Sequence, residues 1–244
     1  TGEIGPSVLH KVHFGINDLG LINVLAYKIA DLPEWAQKLW VAHNATPEGG
    51  LSKELHAFQN LAEYPSSLAP EVVIWKNLNR LQSMIESVFG GPLFSNLPQQ
   101  DKFFKSVHRF HGDSFEQVCQ LCKELHRATS EHIDIGMLNN KIDPEQAELS
   151  NKQNLRQIRR LSLWLDRLGF DGRKMTAVFG GLAELRQGDA HAEGRSLRDS
   201  LHLLGIDKAS DDYPDMCRKI LMETGNALGR VGQAIASTIK TQHP

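Results

Sequence analysis

In the stretch AELRQGDAHAEGRSL, Arg186 is followed after four intervening residues by His191, with Asp189 between them. An arginine offers a permanent, planar set of donors suited to anionic oxygens. A histidine takes up and releases protons near neutral pH. A carboxylate beside it can orient or polarise the imidazole. The group therefore has the ingredients of acid–base chemistry at an anionic centre. A plainer reading stands beside it: Arg186 can satisfy the last carbonyls of a helix, and His191 can be a surface or a buried, hydrogen-bonded histidine. The same spacing recurs in RATSEH, from Arg127 to His132, and a wider one links Arg195 to His202. Arg186 and His191 are preferred because Gly188 loosens the helix there and HAEG leads into a turn. Both side chains then reach solvent at the end of an element.

Other constellations are weaker. Cys119 and Cys122 are three apart, and His126 lies one turn further on. That spacing superficially resembles zinc ligation, but a structural zinc site wants four ligands and no second cysteine pair exists. With Val118, Leu121 and Leu125 around them, these positions read as core, where a free cysteine behaves as a small hydrophobe. His10 with His13, and His108 with His111, are weaker still as metal sites. The chain contains no histidine–glutamate metalloprotease motif, no lysine-bearing phosphate loop and no glycine-flanked nucleophilic serine. No cofactor and no metal are expected.

The elements that must position these residues read as helical nearly throughout. LGLINVLAYKIA is an apolar segment at 19–30, and Asp31 with Pro33 marks a new helix start. Ser52 can cap the next helix. Residues 70–89 read as a helix, although EVVIW alone could be a strand. GGPLFSNLPQQ, at 90–100, is the candidate boundary between an N-terminal helical region, 1–95, and a C-terminal bundle, 96–244. Asp113 with Glu116, and Asp143 with Pro144 and Gln146, announce two further helices, the second running to Gly169. Helices are also expected at about 173–187, from Ser196 to Gly205, and from Pro214 to about Lys240. The expected fold is all-α, an antiparallel helical bundle with an additional helical N-terminal half.

Leu155, Ile158, Leu161, Leu165 and Leu168 form an apolar stripe, with Arg156, Arg160 and Arg167 on another face. Those arginines read as a solvated surface or as a phosphate-facing patch. Gly225, Gly229 and Gly232 lie in the last helix, where each costs about 1 kcal/mol relative to alanine. They suggest close approach of another helix, from this chain or from a second copy.

On Arg186 and His191, and on the late place of that pair in a helical region, the chain from about 101 to 244 resembles the HEPN superfamily of bacterial toxin and anti-phage defence proteins. Gln187 departs from the pattern, since members often carry asparagine or aspartate directly after the arginine. The resemblance implies a metal-independent endoribonuclease in which a 2′-hydroxyl attacks the neighbouring phosphate. Arg186 and His191 would be catalytic, Asp189 supporting, and Arg156, Arg160 and Arg167 would bind RNA. It also implies a homodimer whose two copies share a cleft. The alternative is a non-catalytic dimerisation or sensor module of a larger defence protein, with a further domain or protein as partner.

Composition is consistent with either reading. A net charge of −2 over 244 residues announces neither a nucleic-acid binder nor a membrane protein. Three cysteines in a chain this long argue against a disulfide framework and for a reducing compartment. No apolar run approaches a membrane span, and the start TGEIGPSVLH does not read as a leader. The expected compartment is the cytoplasm.

Overall fold

The computed structural model describes residues 2–7, 10–17, 19–46, 48–52, 55–57, 69–108, 112, 114–151, 156–186, 195–206 and 212–242. The chain divides into two compact units, Thr1–Ala69 and Pro70–Pro244. The stretch 90–100, expected to be a boundary, lies inside the second unit.

The first unit corrects the all-helical expectation. It holds a three-stranded antiparallel sheet of β1 (Gly2–Ser7), β2 (His10–Ile16) and β3 (Ile22–Val24), in that order. KVHFGI alternates apolar and polar residues, which is the pattern of a half-buried strand. Val12 and Phe14 are accordingly buried on one face while His13 between them is exposed. Asn17 closes the β2–β3 turn, its Oδ1 accepting from the N–H groups of Leu19 and Leu21 at 3.1 and 2.9 Å. Two short helices follow, α1 (Ala26–Ile29) and α2 (Glu34–Ala42). Leu32 and Ala36 pack on Val12 to make a small core. Ser52 does act as a cap, its hydroxyl accepting from Leu55 N–H at 3.3 Å.

The second unit is helical. Its elements are α3 (Pro70–Phe89), α4 (Gln100–Ser106), α5 (Phe115–His126), a π-turn (Arg127–Glu131), α6 (Ile135–Asn139), α7 (Pro144–Asn151), α8 (Arg156–Arg167), α9 (Gly172–Leu185), α10 (Arg195–Leu203) and α11 (Tyr213–Gln242). Ile74, Leu78, Leu81 and Ile85 recur at three- and four-residue intervals along α3, so they share one face, and all are buried. The molecule as described is thus mostly helical, with one small sheet.

Side-chain chemistry explains the helix ends. Ser114, rather than Asp113, is the N-cap of α5, accepting from Gln117 N–H at 3.4 Å. Asp113 lies outside the described residues. Asp171 caps α9 through Lys174 N–H at 2.9 Å. Gly205, at φ +72°, ends the α10 segment where other residues would be strained.

The most extensive helix–helix contact is between α3 and α11. A Cβ added at Gly225 would meet Val73 at 3.2 Å, at Gly229 the Asn77 amide at 3.4 Å, and at Gly232 Leu81 at 3.7 Å. Asn77 also donates to the Gly225 carbonyl at 3.0 Å. The glycine stripe is therefore covered by a helix of its own chain, which removes it as a face for a second copy. Among the described residues, no helix is long and apolar enough to cross a membrane.

Candidate functional site

Arg186 is the C-cap of α9, and its backbone N–H bonds the Leu182 carbonyl at 3.1 Å. Its side chain has its hydrogen bond elsewhere in the fold. It crosses to α5, where Nη1 stands 3.0 Å from Nδ1 of His126. A guanidinium has donors only, so the imidazole nitrogen must accept, and the His126 proton then sits on Nε2. Burial first, and the Arg186 charge second, lower the His126 pKa to about 4, with Glu131 opposing. His126 is only 5% exposed, so this neutral ring is a fixed acceptor inside the protein.

The half-buried guanidinium lines a polar cleft of about 310 Å³ with Ser114, Glu116, Gln117, Cys119, Gln120 and Lys123. Most of these belong to the N-terminal two turns of α5. Lys123 adds a second positive charge and Glu116 a negative one. Arg186 is thus preoriented by His126 beside donors that suit an anionic oxygen. Asp189 and His191 lie outside the described residues, as does the Gly188 on which their preference rested.

The proposed RNA-binding arginines separate. Arg156 and Arg167 are exposed, and Arg167 contacts the Lys141 carbonyl at 3.3 Å and Asp143 at 3.7 Å. Arg160 is 1% exposed, which corrects its place on an outer face. A single apolar stripe implies one packed side. In the fold, α8 is packed by α6, α7, α9 and the π-turn, so every residue from Ile158 to Leu165 except Arg159 is buried. A guanidinium enclosed there cannot meet a phosphate backbone.

Cys119, Cys122 and His126 are all buried. Burial pushes the Cys122 thiol well above its ordinary pKa, helped by Cys119 and Cys217. These are packed thiols, and Nδ1 of His126 is occupied by Arg186. Among the described residues, no group of three His, Cys, Asp or Glu side chains is placed to hold a metal ion.

The second occurrence of the arginine–histidine spacing falls on the π-turn. Arg127 and His132 line one cleft of about 230 Å³ with Asn96, Pro98, Lys102, Phe103, Ser106, Glu124 and Ala128. Nothing in the sequence marked the π-turn. For the third pair, the Arg195 side chain lies outside those described, and His202 is exposed on α10.

No family model, curated protein or solved structure matches the chain.

Proposed function

We propose that this chain is a HEPN-like, metal-independent endoribonuclease or effector domain of the toxin and anti-phage defence kind, acting at Arg186 with His191 and Asp189. The observation that carries the reading is the Arg186 guanidinium held by neutral His126 at a polar cleft, beside Lys123. A side chain held this way loses little freedom when it engages a phosphate, which is what transition-state stabilisation asks of it.

In this reading the 2′-hydroxyl of the RNA attacks the adjacent phosphorus and the 5′-oxygen leaves. The proton of the 2′-hydroxyl passes to His191, and a proton is returned to the leaving oxygen. Asp189 orients the imidazole, and Arg186 meets the charge that builds on the phosphate oxygens. The products carry a 2′,3′-cyclic phosphate and a 5′-hydroxyl. Arg156 and Arg167 remain as phosphate contacts along the strand, and two copies of the chain would share the cleft.

The chemistry is tested by the products' ends. Single-stranded RNA and tRNA should yield cyclic phosphate termini, and a single 2′-deoxy substitution at the scissile position should stop cleavage there. Cleavage of an all-deoxy strand, or products with 3′-hydroxyl ends, would refute this mechanism. RNA left intact by a homodimeric preparation would favour the non-catalytic dimerisation or sensor module instead.

A further inference from the structure

The cleft beside the π-turn shares no lining residue with the Arg186 cleft. It is built by an uncommon piece of backbone. In an α-helix, residues five apart point about 140° away from one another around the axis. A π-turn, with about 4.4 residues per turn, reduces that to roughly 50°. The widening of Arg127–Glu131 therefore swings Arg127 and His132 toward one side, and both do line the same cleft. An α-helical RATSEH would have separated them.

The turn is held from several directions. The Thr129 hydroxyl donates to the Leu125 carbonyl at 2.8 Å and lies 3.2 Å from that of Ser130. The His132 carbonyl accepts from Ser95 N–H at 2.8 Å, and Asp134 N–H bonds the Leu93 carbonyl at 2.7 Å. Ile133 bridges Phe94. Such turns are rare and are frequent at functional sites.

Three basic residues from two elements line the cleft: Lys102 of α4, Arg127, and His132 at the end of the π-turn. Among the described residues Lys102 has no ion-pair partner, and the His132 ring has no hydrogen-bond partner. Glu124, which also lines the cleft, lies 3.4 Å from Arg127 Nη1, and Glu131 lies 4.0 Å from Nε. These two contacts occupy at most two of the five guanidinium N–H groups and steady its plane. Pro98, Phe103 and Ala128 supply an apolar wall. A space of about 230 Å³ has room for a phosphate and one ring, and is too small to enclose a run of polynucleotide.

We infer that the π-turn cleft is a second site, which binds a phosphate monoester attached to a single ring. Lys102, Arg127 and His132 hold the phosphate, and the apolar wall takes the ring. This does not rest on cleavage at Arg186. The phosphate can come from a free sugar phosphate or from the phosphorylated end of an RNA chain, and the chemistry of recognition is the same.

Calorimetric titration of the full chain with ribose 5-phosphate, and with ribose as the neutral control, tests it. The sugar phosphate should bind and ribose should not. Lys102→Gln, Arg127→Gln and His132→Gln should each weaken binding by about tenfold or more, the loss of one charge-assisted contact, without lowering the melting temperature. Lys123→Gln, in the other cleft, should leave it unchanged. A short RNA with a 5′-phosphate that binds more tightly than ribose 5-phosphate, yet is weakened by the same three variants, assigns the site to RNA ends. Equal affinity for ribose and ribose 5-phosphate, or binding that survives all three variants, overturns the proposal.

Discussion

Arg186 and His126 meet at 3.0 Å, guanidinium Nη1 to imidazole Nδ1, across sixty residues of sequence. The contact joins the end of α9 to the end of α5, and burial, with the Arg186 charge second, keeps the ring neutral. That neutrality has a cost in acid. Below pH about 6.5 the unfolded chain binds a proton at His126 that the folded chain refuses until about pH 4. This residue therefore leaves stability intact above 6.5 and lowers it as pH falls toward 4, by a total on the order of 3 kcal/mol. Urea midpoints at pH 7.5 and 4.5 should converge in His126→Gln relative to wild type. An unchanged difference between the two pH values would mean that His126 is not the group responsible.

The glycines of α11 should respond in opposite directions. A Cβ at Gly232 finds Leu81 at 3.7 Å, an ordinary contact, so Gly232→Ala should stabilise the fold by up to about 1 kcal/mol through helix propensity. At Gly225 the Val73 methyl is already at 3.2 Å, and Gly225→Leu should cost about 3 kcal/mol by overpacking. Thermal melts check both. If Gly225→Leu is tolerated while the protein's solution mass falls, the stripe serves another copy and not α3.

Arg160 separates from its neighbours in the same way. Arg160→Ala should destabilise by about 3 kcal/mol, because it empties a fully buried position that a long side chain fills. Arg156→Ala and Arg167→Ala should change stability by less than about 0.5 kcal/mol, since both are exposed. If these two contact RNA phosphates, each should also reduce the salt dependence of RNA affinity by about one counterion. Chemical denaturation and RNA titrations over a salt series distinguish the two behaviours.

The helices of the second unit were legible because their signals are local. Pro70 to Phe89, Gly172 to Leu185 and Tyr213 to Gln242 each carry a helical apolar period, and Pro214 opens the last of them. The sheet was missed because Val12, Phe14 and Ile16 give only three alternations, and GEIGPS, with two glycines and a proline, lacks strand composition. Arg160 was misplaced because burial on several sides depends on which helices surround α8, which no periodicity states. The Arg186–His126 contact pairs residues sixty apart, so the candidate site was legible in Arg186 and invisible in its partner. The π-turn has no compositional mark, and RATSEH reads as continuous helix.

The most direct test of the proposed function is cleavage of end-labelled single-stranded RNA, under single-turnover conditions and in excess chelator. Wild-type protein should cut, Arg186→Ala should fall by about 10²-fold or more, and His191→Ala by about 10²- to 10⁴-fold, with melting temperatures kept. Wild-type protein that leaves the RNA intact, or His191→Ala that cuts at the wild-type rate, would contradict the account.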